Sequence, residues 1–341
     1  LEPESNVTMV DQGDVISYGG CGIPYFISGD VSDPEQLQTT SFHMLRDEKF
    51  FQDVKDVHVM THTKAVAVDR EKKNVLVRDV ISGKELELPY DKLVLATGSR
   101  AGRLPIDGSD LVAVFTVSDM DEAVAIKKDM AEGKVGKAVI IGAGAIGLEM
   151  AEAMADLWGI ETAVVEIADH ALPGIISANM ARMVQHHLDE NDVSFYANEK
   201  VARIEGDGRV KRVVTNKRTL DADMVIMAVG VTPNSDLAKE VGLEGSSRGG
   251  IVVNIRFQTS DPFIYAGGDC VQITNVITGK PGYYPLGSMA NRQGRVIGTN
   301  LADGEAEFDG AVGSFCLKLF DISVASAGLS LETAKKEGFD A

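Results

Sequence analysis

Apolar positions along the chain fall into two rhythms. Residues 6–11 read as a short β-strand ending in the acid Asp11. Residues 29–37 are polar and turn-like, and 39–55 carry helical spacing with Phe42, Leu45 and Phe50 facing inward. The runs 57–60, 63–68, 74–80 and 85–88 alternate about turn signals such as Ser82-Gly83-Lys84, which predicts a small antiparallel meander. An apolar strand over 90–95 then ends in Ala96-Thr97-Gly98.

From residue 118 the pattern changes to alternating helices and wholly apolar strands. A helix over 118–132, with Ser118 at its N-cap, precedes a boundary at 133–137. Strands follow at 138–141, 160–165 and 223–229, helices at 148–158 and 179–191, and a hairpin-like pair at 201–214. A strand through Ile264 and Ala266 and a helix opened by Pro285-Leu286-Gly287 and running to Leu301 complete the repeat. Such alternation defines an α/β protein.

Composition narrows the function. A chain of 341 residues has length for two or more domains. Its net charge of -18 argues against a general nucleic-acid or anionic-membrane surface, so an anionic substrate needs a local basic pocket. No apolar run is long enough to span a bilayer and no secretory signal is present. Three cysteines without a disulfide framework fit a reducing cytoplasm. His186-His187 has no partner at metal-ligand spacing, so no metal site is expected.

The chemistry concentrates in four places. The first is Ser17 through Tyr25, which sets Cys21 between glycines at the start of a short helix, where backbone N–H groups favour a thiolate. No second cysteine stands at dithiol spacing, so Cys21 works alone or is a small buried hydrophobe. Cys270 and Cys316 read as structural. The second is Gly142-Ala-Gly144-Ala-Ile146-Gly147, between an apolar strand and a helix, with Glu166 ending the next strand. In that context Gly142 makes the tight turn, Gly144 admits the pyrophosphate, and Gly147 lets helix and strand pack closely. Glu166 would accept a ribose 2′-OH and repel a 2′-phosphate, which favours NADH over NADPH. The third is Ala266-Gly267-Gly268-Asp269, where backbone can approach a cofactor and Asp269 can accept from a ribityl hydroxyl. The fourth is the helix start at Pro285-Leu286-Gly287, whose amides suit the negative edge of a reduced flavin.

In a dinucleotide-binding unit a glycine turn lies about 20 residues ahead of an acid such as Asp11. It would fall upstream of Leu1, so the sequence is expected to lack its first strand and glycine loop.

Taken in order, Ala96-Thr97-Gly98, Gly142-x-Gly144-x-x-Gly147, Gly230-x-x-Pro233-Asn234 and Thr259 through Asp269 resemble the pyridine nucleotide-disulfide oxidoreductase superfamily over nearly the whole chain. The resemblance implies two Rossmann-like domains, one for FAD and one for NAD(P)H, the second inserted in the first, and an incomplete C-terminal α+β interface domain that makes homodimers. The expected limits are 1–116 and 243–308 for FAD, 117–242 for NAD(P)H and 309–341 for the interface. Ser17-x-x-x-Cys21-x-x-Pro24-Tyr25 is similar to the motif of the coenzyme A-disulfide and persulfide reductase branch, with Tyr18 where Phe is usual.

By that resemblance Ser17, Gly20 and Cys21 line the CoA thiol end, with Asn291 a further contact, and Asp11 holds the FAD adenosine ribose. Glu149 is expected near the nicotinamide, and Lys55 and Arg46 are weaker candidates for CoA phosphates. The implied activity is FAD-dependent NAD(P)H reduction of a CoA disulfide, persulfide or polysulfide through Cys21. Its rivals are an NADH oxidase or peroxidase cycling a Cys21 sulfenic acid, and a non-catalytic redox-sensing flavoprotein.

Overall fold

The computed structural model describes residues 5–341. Among them are eight α-helices: α1 Ile23–Ser28, α2 Glu48–Lys55, α3 Met120–Ala131, α4 Ala145–Ala155, α5 Ala178–Glu190, α6 Asp236–Glu240, α7 Gly287–Leu301 and α8 Leu331–Lys336. The chain divides into two compact units. The first holds the described residues through Gly19, together with Glu35–Arg100 and Thr232–Ala311. The second holds Gly20–Pro34, Ala101–Val231 and Val312–Ala341. These breaks differ from the limits expected at 116, 242 and 308, and they assign the cysteine segment Gly20–Pro34 to the same unit as the glycine motif at 142–147.

In the second unit a five-stranded parallel sheet runs in the order Val193–Tyr196, Glu161–Val165, Lys137–Ile141, Met224–Met227 and Val114–Phe115. Its central strands Lys137–Ile141 and Met224–Met227 are buried on both faces, which is why they read as continuous apolar runs. Val139, Val165, Val225 and Met227 join one core cluster with Val201, Ile204 and Val213 of the antiparallel strands Val201–Asp207 and Arg209–Thr215. The helix over 118–132 begins at Met120, and its N-cap is Asp119, whose side chain accepts from Glu122 N. Ser118 instead donates its hydroxyl to the Glu122 carboxylate.

The first unit pairs Val7–Val10 in parallel with Val57–Met60. That pairing takes Val57–Met60 out of the expected meander, which consists of Thr63–Asp69, Asn74–Asp79 and Glu85–Pro89. Leu93–Leu95 pairs in parallel with Ile264–Ala266, and Leu95, Ile264, Ala266, Phe257 and Ile297 of α7 form a second core. Only Glu48–Lys55 of the stretch 39–55 is helical. Phe42 and Leu45 lie in a loop closed by the Thr39–Leu45 bridge, where Phe42 is 85% exposed; the apolar spacing there has no surface to bury against within its unit.

The contact that fixes the second unit is backbone on backbone. Gly142 has φ 102, and a Cβ on it would stand 2.4 Å from Ala228 O. A Cβ on Gly147, in the first turn of α4, would stand 2.0 Å from Gly142 O. Backbone cannot yield as a side chain does, so only glycine allows α4 to start so close to its strand. We expect Gly147→Ala to lower the thermal midpoint by about 5 °C or more, read by circular dichroism on the whole chain.

Candidate functional site

Glycine and a buried acid build the first part of the site. Gly142 N donates to Val165 O at 2.8 Å, and Gly144 caps α4 without any side-chain hydrogen bond, leaving the first-turn amides open to an anion. Space beside Gly144 is clear, with nothing within 4 Å of an ideal Cβ. Glu166 is buried at 6% exposure, and its two oxygens accept from Ala143 N and Ala168 N, each at 2.7 Å. The carboxylate thereby ties the glycine turn to the strand that follows it. Ile146 is 40% exposed on the first turn, and Gly230, with φ 93, ends the loop after Met224–Met227. These residues fit a nicotinamide dinucleotide: an uncapped helix start, an open glycine and an acid at the strand end.

Glu149 lies one turn into α4, and Glu152 follows on the same flank. Burial, and secondarily the neighbouring Glu152 charge, push the Glu149 carboxyl up to about 7. Glu152 itself is raised by burial, partly offset by a backbone hydrogen bond from Phe320 and by Lys318, on the hairpin Ser314–Leu319 and Ile322–Ala327. The family resemblance singled out Glu149 but gave no signal of its charge state, because the cause is the packing of α4.

Cys21 occupies the 3-10 turn Gly20–Gly22 directly ahead of α1, and its thiol is exposed. Gly22 caps α1 with no side-chain hydrogen bond, and Pro24 sits in its first turn, where no amide is needed. Burial of Ile23, Phe26 and Ile27 fixes the helix while the cysteine remains accessible. The buried-hydrophobe alternative for Cys21 is therefore not what the structure adopts. It does describe Cys270, which is fully buried with its Sγ 3.2 Å from Gly267 O and its thiol pushed up by burial. Cys316 is exposed on the strand Ser314–Leu319.

In the first unit Asp11 follows Val7–Val10 and accepts from Gly13 N at 2.7 Å. Ala96 and Thr97 are exposed after Leu93–Leu95, and Gly98 turns with φ 65; Asn234 N donates to Gly98 O. Gly268 N donates to the Gln293 side chain at 2.7 Å, and Ser99 donates to Asp269 at 3.1 Å. Burial raises the Asp269 carboxyl, with the Ser99 hydrogen bond opposing. Tyr283 donates to Asp269 O at 2.9 Å. Pro285 and Leu286 lead into α7 at Gly287, whose N-terminus no side chain caps. A half-buried acid and an uncapped helix of 15 residues are donors and acceptors of the kind a flavin nucleotide needs, so the residues fit FAD.

Ser17 and the exposed Asn291 belong to this first unit, whereas Gly20 and Cys21 belong to the second. The structure thus does not gather the four expected CoA contacts within one unit. A cavity of about 340 Å³ just ahead of Ser17 in sequence is lined by Val15, Ile16 and Gln38 and by charges of both signs, Asp14, Asp47 and Glu48 against Arg46 and Lys49. Arg46 is committed elsewhere, donating to Leu37 O at 3.0 Å and Gln38 O at 3.1 Å, while Lys55 lies 6.0 Å from the Phe50 ring. Gln293 escaped the sequence reading, although its place on the buried stripe Gln293, Ile297 and Asn300 of α7 marks a polar side chain with a fixed partner. Among the described residues no group of three metal-ligating side chains exists and no helix is long and apolar enough to cross a membrane.

Two dinucleotide-binding frames and an accessible lone thiol define an α/β redox protein. Residues 2–294 match the family described as pyridine nucleotide-disulphide oxidoreductase, and the chain belongs to that family. It is similar to an NAD(P)H sulfur oxidoreductase (CoA-dependent) from Pyrococcus furiosus, 35% identical over 340 residues, with 100% of this chain and 74% of the relative covered. An NADH oxidase from Methanocaldococcus jannaschii is 34% identical over 331 residues, covering 97% of this chain and 72% of that protein. The solved NAD-dependent persulfide reductase from A. fulgidus superposes with a TM-score of 0.96 at 40% identity, over 99% of this chain and 62% of the other. The chain therefore spans less than two thirds of that solved structure.

The Glu149 carboxyl supplies a test. Its folded value of about 7 exceeds the ordinary 4.5, so the protein binds that proton more tightly folded than unfolded. The proton's stabilising contribution is complete below the unfolded value and is lost as pH rises through about 7. Allowing for water that still screens part of the group, Glu149→Gln should gain on the order of 1–2 kcal/mol relative to the parent at about pH 8.5, and little at about pH 4.5. Urea unfolding at the two pH values measures the difference.

Proposed function

We propose that the protein is an FAD-dependent NAD(P)H oxidoreductase that reduces a CoA disulfide, persulfide or polysulfide through Cys21. The observation that carries this reading is an exposed lone thiol directly ahead of a packed helix, in a chain that also holds two dinucleotide-binding frames. When bound, FAD accepts a hydride from the nicotinamide and returns the electron pair to sulfur. Gly142, Gly144, Ile146, Gly147 and Gly230 would hold the nicotinamide dinucleotide, with Glu166 at its ribose and Glu149 near its ring. Asp11, Ala96, Thr97, Gly98, Gly268, Asp269, Pro285, Leu286 and Gly287 would hold FAD.

Cys21 performs the bond exchange. Its thiolate attacks one sulfur of the substrate, forming a Cys21–substrate disulfide and expelling the other half as a thiolate, which takes a proton. Two electrons then cleave the mixed disulfide, releasing the second thiol with another proton and restoring the Cys21 thiolate. The sum is NADH, a proton and a disulfide giving NAD⁺ and two thiols; with a persulfide one product is sulfide. Ser17, Gly20 and Asn291 would contact the CoA portion of a substrate. We read the active form as a homodimer, as the resemblance implies, and sedimentation of the full chain measures it.

A second reading rests on the relative named NADH oxidase, in which Cys21 would cycle through sulfenic acid. Comparing NADH consumption with O2, peroxide and CoA disulfide as acceptor separates the two. We expect Cys21→Ser to keep NADH-dependent flavin reduction within about twofold while CoA-disulfide turnover falls at least about a hundredfold. Full disulfide turnover by that variant would end the proposal. Non-reducing mass spectrometry of the parent should find a CoA-mass adduct on Cys21.

A further inference from the structure

The helix that follows Cys21 is only six residues long, too short to hold a shape without tertiary partners. Its inner face, Ile23, Phe26 and Ile27 at 4%, 4% and 0% exposure, is buried, and α1 packs against α3 and α4. Apolar packing is non-directional. Two polar contacts add direction at the far end of α1 and just past it. Trp158, the single tryptophan and just past α4, donates Nε1–H to Ile27 O at 2.9 Å. Ile27 O is among the last four carbonyls of α1, which have no partner inside the helix. Lys127 of α3 donates to Val31 O at 3.1 Å, with its ammonium 4.0 Å from the Phe26 ring centroid. Lys127 is half-buried, and that burial lowers its pKa, with Asp33 opposing.

We infer that Trp158 and Lys127 are positioning residues for Cys21, clamping the C-terminal end of α1 to the helices of the nicotinamide-binding unit so that the thiol turn keeps one orientation. The inference rests on the reading of Cys21 as the redox thiol. It assigns no contact with substrate to either residue. It also ties the thiol mechanically to α4, the helix whose first turn carries the glycine loop.

Trp158→Phe retains an aromatic ring and loses the N–H; Lys127→Met retains the stem and loses the ammonium. Both belong in a Cys316→Ser background, because Cys316 is the other exposed thiol. In each variant we expect CoA-disulfide turnover to fall about three- to tenfold, anaerobic flavin reduction by NADH to stay within about twofold, and the pH midpoint of Cys21 alkylation to move. A merely structural role would not move that midpoint. Should Trp158→Phe fail to fold, Lys127→Met decides alone. An unchanged alkylation profile with unchanged turnover overturns the inference, as does equal slowing of both half-reactions with a lowered melting point. Cys21→Ser in the same assays separates the two levels: if it still turns over disulfide, the underlying reading falls; if it is inactive while the clamp variants behave as the parent, only the clamp falls.

Discussion

Close approach of one backbone segment to another governs this molecule. Where Gly142 and Gly147 bring α4 against Lys137–Ile141, no side chain intervenes, and a single added methyl group would overlap a carbonyl oxygen. The same approach leaves the first turn of α4 without a side-chain cap, so the packing constraint also frees amide donors of the kind an anion accepts from. Glu166 completes it from the neighbouring strand: its two amide hydrogen bonds hold the turn in the shape that the glycines permit.

Burial then sets the electrostatics. α4 is apolar on most of its surface because Leu148, Met150, Ala151 and Met154 enter the core, and Glu149 and Glu152 share its flank. Removing both carboxylates from much of their water raises them, and the Glu152 charge adds to the Glu149 shift, whereas Lys318 and a backbone hydrogen bond from Phe320 oppose the Glu152 one. In the first unit Asp269 is raised by the same cause, with Ser99 working against it. Burial thus raises Glu149 and Asp269 alike, and for Glu149 the rise reaches about 7.

Much of the scaffold was legible along the chain. The strands at 138–141 and 160–165, the glycine loop between them and the helix from Gly287 to Leu301 follow from apolar runs and glycine spacing, and the structure holds them within a residue or two. Errors arose where a short apolar pattern could serve two partners. Val57–Met60 alternates like the meander strands but pairs in parallel with Val7–Val10. Phe42 and Leu45 have helical spacing yet sit in an exposed loop, since spacing cannot supply a surface to pack against.

By itself the sequence determined the glycine geometry, the single-cysteine motif and the acid at the strand end, because each is a local requirement of backbone shape or reacting atom. Only the tertiary structure decided that Cys21 is exposed while Cys270 is buried, that burial pushes the Glu149 carboxyl up to about 7, and that α1, behind the cysteine, packs with α3 and α4. Those outcomes depend on which distant residues crowd each group: burial sums over neighbours far apart in sequence, as when Leu95, 175 positions before it, packs on Cys270. Local pattern cannot carry that information.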